Sequence, residues 1–424
     1  MNSKDTAEDQ GLGRRQWLAG SAGTLAGLGL GALGASSTSA NAQTPSPAPG
    51  AAASAASAVP PAKALPAYAA WKDPNAVIIH SSSTIETKRQ AFGNGLITPA
   101  EQLYVRNNLP APDAAVLNDR DGWEISIEGV KLPRRITVRE LKTMGLETVP
   151  MVLQCSGNGR GFFPSKPSGT PWTVGAAGCV VWTGVSVRQL VESLGGVLAG
   201  HEFMTGTGGE VLPQGLDPKS ILVERSVPAK AMGDALLAWE MNGVPIPLAH
   251  GGPLRLIVPG YQGVNQIKYI KRLAFTQQES DAKIMAHGYR ISPPGSKADT
   301  SQPSVLEMNV KSWITSPLPL VRPAAPGQVQ IQGLAFGGLH AIKRVEVSTD
   351  AGKSWQEARL VGPDLGKYAW RQFVLAAKLA AGTHTLLSRA TDTAGHVQPE
   401  QRLENVGGYN NNSVLDHAVT VTLV

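Results

Sequence analysis

Apolar and polar positions divide the chain into short strands, a few short helices and many turns. Trp123-Glu-Ile-Ser-Ile-Glu-Gly129 alternates at period two, the pattern of a half-buried strand. Thr137-Val-Arg-Glu-Leu-Lys-Thr-Met144 predicts a short helix capped by Thr137. Val185-Ser-Val-Arg-Gln-Leu-Val-Glu-Ser-Leu194 predicts a second, clearer helix with Ser186 as candidate cap. The apolar run from Val149 to Leu153 reads as a buried strand that delivers Cys155 to a turn. In that turn Gly157, Gly159 and Gly161 are expected to take positive φ and to let the backbone approach a ligand. Beyond Ser292 the pattern changes. Pro293-Pro-Gly and the polar stretch to Gln302 read as a linker. After it come Val329-Gln-Ile-Gln-Gly333, Lys343-Arg-Val-Glu-Val-Ser-Thr-Asp350, Ala369-Trp-Arg-Gln-Phe-Val-Leu375 and the strand-like run from Gly382 to Asp392. This spacing suggests an all-β sandwich, and without a Cys…Trp…Cys pattern an immunoglobulin-like core would lack the disulfide.

Composition agrees with a loop- and strand-rich body. Of 424 residues, 47 are glycine and 31 proline, and the apolar share of 42% is enough for ordinary cores. The N-terminus has a different character. Arg14-Arg15-Gln-Trp17-Leu18 opens a Gly/Ala-rich apolar run, and Ala40-Asn-Ala42 supplies a small-residue cleavage site. Together they predict a twin-arginine export signal over 1–42, cleaved near Ala42, and a periplasmic protein. A Pro/Ala/Ser-rich linker follows over 43–70. No later apolar run reaches the roughly 20 residues a membrane span needs, so a soluble mature protein is expected. Lys4, Arg14 and Arg15 balance Asp5, Glu8 and Asp9, leaving the formal +6 on the mature chain. That field suits an anionic substrate or an acidic partner. No cluster of Lys and Arg with interleaved aromatics points to nucleic acid.

Cys155 and Cys179 are the two cysteines. Cys155, at a strand end with Arg160 nearby on a glycine loop, suits a soft-metal thiolate or a nucleophile. In an oxidising compartment the pair could instead form a disulfide. A metal role for Cys155 predicts that Cys179 is a lone buried residue in Gly178-Cys-Val-Val-Trp182.

Six segments carry a resemblance. They are Leu103-Tyr-Val-Arg106-Asn-Asn-Leu-Pro110, Leu153-Gln-Cys-Ser-Gly-Asn-Gly-Arg160-Gly-Phe-Phe163, Trp182-Thr-Gly-Val185, Leu237-Ala-Trp239-Glu-Met-Asn-Gly-Val-Pro245, His250-Gly-Gly-Pro-Leu-Arg255-Leu-Ile-Val-Pro-Gly-Tyr-Gln-Gly263 and Asn265-Gln266-Ile-Lys268. In this order the chain closely resembles the sulfite oxidase family of molybdopterin enzymes, from about residue 80 to the C-terminus. It looks most like bacterial periplasmic sulfite dehydrogenases that use a cytochrome. The resemblance implies an α+β chain: a mixed α/β molybdopterin domain over 71–292, then an immunoglobulin-like dimerisation sandwich over 303–424. It implies a homodimer, or a heterodimer with a cytochrome subunit.

The resemblance also implies roles. Cys155 would bind molybdenum, a soft thiolate beside the dithiolene sulfurs of the pterin. Arg106 would hold the oxyanion substrate with its planar fork. Tyr289, in His287-Gly-Tyr-Arg290, would hydrogen-bond an oxygen and relay a proton. Arg160, His250, Arg255 and Lys268 would bind the cofactor or line the anion site, and Asn107, Asn108 and Gln266 belong to the same cofactor-binding set. Trp182 and Trp239 are expected in the core. The implied reaction is oxidation of sulfite to sulfate, with electrons passed to a separate c-type cytochrome, since no Cys-x-x-Cys-His appears.

Three positions depart from the family pattern. Asn108 stands where a histidine is common. Gly408-Tyr-Asn-Asn411-Asn412 matches a Gly-Tyr-x-Arg-Asn motif, so Asn411 would remove a charge from the anion pocket. Thr205-Gly-Thr-Gly-Gly209 replaces a Gly-Leu-Asp segment, with Asp217 displaced downstream. Weaker sulfite binding is therefore expected, or another sulfur substrate such as an organic sulfur oxide or protein-bound sulfur.

Overall fold

The computed structural model describes residues 64–319 and 326–424. The export signal and residues 43–63 of the expected linker lie outside the described residues. The last part of that linker is packed, contrary to expectation. Ala67–Ala69 form a 3₁₀ turn, and Leu65 and Tyr68 close an apolar cluster with Ala69, Val77, Ile85, Val105 and Ala249. Among the described residues no helix is long and apolar enough to cross a membrane.

The strand that carries the cysteine lies inside the molecule. Glu147–Gln154 pairs antiparallel with Ala177–Ser186, which pairs with Leu236–Met241. Val244–Pro245 and Arg255–Ile257 complete this sheet. Its strands read as unbroken apolar runs because both faces are covered. On Leu236–Met241, Leu237 and Trp239 face one cluster while Leu236 and Ala238 face another. The first cluster joins this sheet to a second of five strands, ordered Arg134–Thr137, Glu124–Glu128, Arg272–Thr276, Phe203–Thr207 and Glu224–Pro228. Glu124–Glu128 alternates as expected, with Ile125 and Ile127 buried. A small sheet of Val77–Ser81, Thr84–Thr87 and Val105–Arg106 holds Arg106 at its edge.

The helices are short. Thr137 caps Val138–Leu141 in a capping box with Glu140. Ser186 does not cap Val187–Ser193 with its side chain. It is the buried last residue of a strand, so its geometry is set by sheet pairing.

The C-terminal strands Lys311–Ser316, Gly327–Phe336, Ile342–Ser348, Gln356–Val361, Arg371–Leu379, Gly382–Asp392 and Val419–Leu423 follow one hydrogen-bonded path. It encloses a core of Ile331, Val345, Phe373, Leu386 and Val421, in keeping with the expected sandwich. This layer packs on the back of the cysteine strand. Phe92, Trp313, Phe336 and Trp370 cluster with Val152 and Cys179. Their rings meet edge to face at 5.8–6.1 Å. Each such pair adds about 0.5–1.5 kcal/mol beyond its area burial. Side-chain hydrogen bonds cross the same boundary, as from Arg89 to the Ile314 and His417 carbonyls.

One cation in this layer is buried without a carboxylate hydrogen-bond partner. Lys311 is 1% exposed and donates to the Asn411 carbonyl at 2.8 Å. Burial lowers its amine from the usual 10.5 to about 7, opposed by Asp416 and reinforced by Arg89. The unfolded chain therefore binds a proton that the folded chain has released between about pH 7 and 10. That contribution to stability is complete above the unfolded value and is lost as pH falls toward 7. Urea midpoints should rise from pH 7 to 9.5, and Lys311→Met should reduce the rise; equal slopes in the two proteins would refute this account.

Candidate active site

Gln154 ends the central strand, and the next residues close a tight loop around Cys155. The Cys155 amide donates to Ala176 and its carbonyl accepts from Asn158, at 2.8 and 2.9 Å. Asn158 also donates to the Gln154 amide oxygen and accepts from the Ala176 amide. Cys155 and Cys179 are both free, so the disulfide alternative is not what the fold builds. Cys179 is fully buried, and desolvation pushes its thiol up to about 12.

The loop glycines work differently from the expectation. Of the three, Gly159 takes positive φ, at 90°. Gly157 instead clears space for Arg160, whose Nη2 would lie 2.5 Å from a Cβ there. Gly161 lies against the Pro171 carbonyl, 2.8 Å from where a Cβ would be.

Cys155, Arg106, Asn108 and Tyr289 line two adjoining chambers. The inner one also takes in Asn107, His250, Arg255, Gln266 and Lys268. The outer one, open and about 310 Å³, takes in Arg160. The structure thus brings the residues assigned to metal, cofactor and catalysis to one place, though not Asn411.

The inner chamber collects cations. Arg255 donates to the carbonyls of His250 and Gln266 at 2.8 and 3.3 Å and lies 5.1 Å over the Trp182 ring. Lys268 donates to the Asn107 side-chain oxygen and the Ala249 carbonyl, each at 2.6 Å. Lys72, which no sequence motif singles out, donates to the Ala100 and Leu103 carbonyls and meets His250 Nε2 at 2.8 Å. Burial is the main cause of every shift here. It takes Lys72 down to about 7 and Arg255 down to about 10. Lys268 and His250 fall well below their usual values, with neighbouring cations acting in the same direction. The one carboxylate on the chamber wall is Glu210, which burial raises to about 7. Glu210 directly follows the Thr205–Gly209 segment, whereas Asp217 caps the surface turn Pro218–Ile221.

Polar atoms here lack partners. Arg255 Nε and Ser156 Oγ are buried with no hydrogen bond. Leaving such groups unpaired costs about 1–3 kcal/mol each. Buried cations and an orphaned guanidinium N–H suit an anionic guest, and a buried free thiol suits a soft metal. The donor set therefore fits a molybdenum–pterin group carrying a phosphate. The Gln266 side chain is already engaged within the protein, by the Val258 amide and the carbonyls of Val258 and Tyr261.

In the outer chamber Arg106 donates from Nη1 to the Asn107 carbonyl at 2.6 Å. Desolvation works against its charge, but Tyr289, Cys155 and Tyr409 outweigh that and hold it above its usual value. Tyr289 has a φ of 50° and stacks on Tyr409 with ring centres 5.1 Å apart. Tyr409, equally without a sequence signal of its own, is the C-terminal residue on this wall. Asn411 is not. It is 3% exposed, and its amide donates to the Gly159 carbonyl and to Asp416 at 2.9 and 2.8 Å. Position 411 ties the back of the cysteine loop, because the chain turns between Tyr409 and Asn411 with Asn410 at φ 57°.

Comparison with known proteins gives the family and the cofactor. Residues 110–284 match the model of the oxidoreductase molybdopterin binding domain, and residues 302–422 that of the Mo-co oxidoreductase dimerisation domain. Sulfite oxidase of Gallus gallus is 31% identical over 337 residues, 74% of this chain and 71% of that protein. Mitochondrial sulfite oxidase of Drosophila melanogaster is 32% identical over 326 residues, 72% of this chain and 55% of that one. Nitrate reductase [NAD(P)H] of Hordeum vulgare is 32% identical over 351 residues, 76% of this chain but 39% of the longer protein. Among solved structures, the sulfane dehydrogenase SoxCD from Paracoccus pantotrophus superposes with a TM-score of 0.68 at 25% identity, covering 82% of this chain and 88% of that one. The chain belongs to the sulfite oxidase family of molybdopterin oxidoreductases, and its cofactor is molybdenum held by molybdopterin.

Proposed function

We propose that this protein oxidises sulfite to sulfate and passes the electrons, one at a time, to a separate c-type cytochrome. The observation that carries the proposal is the placement of Cys155. Its free thiol lies where a cationic inner chamber meets an open outer one, with Arg106 and Tyr289 beside it. The sulfite oxidase relatives supply the substrate class.

In this reading the bound cofactor supplies two-electron oxidation of a sulfur lone pair, with the new oxygen drawn from water. Cys155 holds the metal as thiolate. Arg255, Lys268 and His250 meet the negative charge of the pterin and its phosphate, Lys72 supports His250 from behind, and Asn107 and Asn108 close the wall. Arg106 holds the oxyanion so that its sulfur faces the metal side, and a fixed guanidinium does this better than a mobile amine. Tyr289 donates a hydrogen bond to a substrate oxygen and returns a proton to solvent through the outer chamber. We assign residues 71–292 to the molybdopterin-binding catalytic domain and 303–424 to a dimerisation domain that also contributes Tyr409 to the outer wall, as a homodimer or beside a cytochrome subunit. Export by the twin-arginine route, with cleavage near Ala42, would place the enzyme in the periplasm with its acceptor.

A second reading keeps the cofactor and changes the sulfur substrate. It is favoured by Asn108, which brings no charge, and by apolar Leu109, Ile221 and Ile284 on the outer wall. The structural likeness to a sulfane dehydrogenase points the same way.

Sulfite added to molybdenum-replete protein with oxidised cytochrome c should reduce the haem. A flat trace with sulfite and a response to another sulfur compound would select the second reading. Cys155→Ser should retain pterin, measured by its fluorescence after release, but lose turnover; retained turnover would remove Cys155 from the metal. Arg106→Met should raise the KM for sulfite about 10- to 100-fold, the value of one charged hydrogen bond. An unchanged KM would show that Arg106 does not hold the anion.

A further inference from the structure

Four side chains are in serial contact, and three of them, Tyr289, Tyr409 and Arg160, line the outer chamber. The Arg225 guanidinium carbon lies 5.7 Å from the Tyr289 ring, Tyr289 stacks on Tyr409 at 5.1 Å and 20°, and the Arg160 carbon lies 5.3 Å from the Tyr409 ring. Neither end cation hydrogen-bonds a carboxylate. Arg225, 1% exposed, donates to Asn265, Ser304 and the carbonyls of Ile284 and Val305. Arg160 donates from Nε to Gly407 at 2.8 Å and from Nη1 to Thr170 at 3.2 Å, both main-chain carbonyls. Each guanidinium thus has a tyrosine ring at one face in addition to its hydrogen bonds, an arrangement that gains strength with desolvation.

The ring of Tyr409 is fixed in this place. Its amide donates to Asn405 at 2.9 Å, and its carbonyl accepts from the Asn405 amide at 3.0 Å. The next amide, of Asn410, donates to the Ser156 carbonyl beside Cys155, and Gln262 donates to the Asn410 side chain. Burial raises the Tyr409 hydroxyl to about 12, so it stays neutral at physiological pH. Tyr409 thus covers one face of Arg160 and puts an aromatic surface where a further charge could have stood. Arg106, held by the Asn107 carbonyl and by Tyr289, is the other cation on this wall. Leu109, Ile221 and Ile284 give the same chamber an apolar strip beside the polar Asn108, Arg160 and Ser168.

We propose that Tyr409 is a specificity-determining residue, and that it fits the outer chamber to alkanesulfinates, which the enzyme oxidises to sulfonates. The inference rests on the molybdenum reading above and narrows its substrate. A sulfinate is sulfite with one oxygen replaced by carbon. It keeps the sulfur lone pair and one negative charge for Arg106, and its alkyl group packs on Tyr409, Ile221 and Ile284. The step balances as R–SO₂⁻ + H₂O → R–SO₃⁻ + 2H⁺ + 2e⁻. A new S–O bond forms from the sulfur lone pair, the C–S bond is untouched, and two one-electron acceptors such as ferricyanide take the electrons.

The test uses molybdenum-replete protein with ferricyanide, comparing ethanesulfinate with sulfite and identifying ethanesulfonate by NMR. Ethanesulfinate should be turned over with a kcat/KM at least equal to that of sulfite. Ethanesulfonate should also raise the melting temperature more than sulfate does, a binding readout independent of turnover. Tyr409→Arg should move the sulfite-to-sulfinate ratio of kcat/KM toward sulfite by about tenfold or more. Ile221→Lys, on a half-buried surface turn, should move it the same way if Tyr409→Arg fails to fold. Turnover of sulfite without turnover or competition by ethanesulfinate would overturn the proposal and leave the sulfite reading intact. Turnover of ethanesulfinate alone would support the proposal and refute sulfite as the substrate, and inertness toward both would refute the two together. An unchanged ratio in both variants would remove Tyr409 and its wall from specificity.

Discussion

The structure depends on one electrostatic constraint: cations are gathered in a desolvated chamber that offers one carboxylate to balance them. Arg255, Lys268 and Arg106 share the chamber with a single thiol, Lys72 backs it through His250, and Glu210 is itself raised to about 7 by burial. Burying charge this way is unfavourable unless something pairs with it. The protein limits the cost by turning most of these donors onto main-chain carbonyls, but Arg255 Nε is left over. An anionic cofactor therefore completes the fold as well as the site. Its binding free energy adds to the stability of the folded chain, because the unfolded chain offers no such cluster.

That constraint explains why the two structural layers cannot be separated into a catalytic part and an appendage. The C-terminal layer covers the rear of the cysteine strand with Trp313, Trp370 and Phe336. Its last loop then reaches round to the front. Asn410 bonds to Ser156, Asn411 to Gly159, and the Gly407 carbonyl to Arg160, so three successive parts of the cysteine loop are held from one segment. A short loop on three glycines has little rigidity of its own. Its geometry is imposed by contacts from more than 240 residues away, the separation of Arg160 from Gly407 being 247.

How much of this was legible in the sequence depended on the range of the interaction. Local signals read correctly: the period-two strand at Glu124–Glu128, the Thr137 capping box and the apolar run ending at Cys155 each depend on neighbours a few residues apart. The motif order brought Arg106, His250, Arg255, Lys268 and Tyr289 to one site. What escaped was set by contacts without a local pattern. Lys72 is an ordinary lysine until its amine meets His250, 178 residues on. Tyr409 and Asn411 sit two residues apart in one motif, and only the turn between them decides which faces the chamber. Ser186 looks like a cap because capping is local, but the sheet had already fixed its backbone. Gly157 suggests conformational freedom, yet what matters is its lack of a side chain, since Arg160 occupies the space.

The contrast between the chambers carries the last step. A cofactor that stays bound can be held by fully buried charge, since its desolvation is incurred once. A substrate must enter and leave in every cycle, so interactions that hold ground state and transition state equally lower KM without raising kcat. The inner chamber follows the first rule and the outer one the second. Outside Cys155 and the buried Arg160 the outer wall is partly or fully exposed, and the charge of Arg160 is covered by a ring and turned toward carbonyls. Arg106 lies at the boundary and faces both. Selectivity among sulfur compounds then follows from how the outer wall presents the charges of Arg106 and Arg160, and that is governed by the stack of Tyr289 on Tyr409 rather than by any residue that touches the metal.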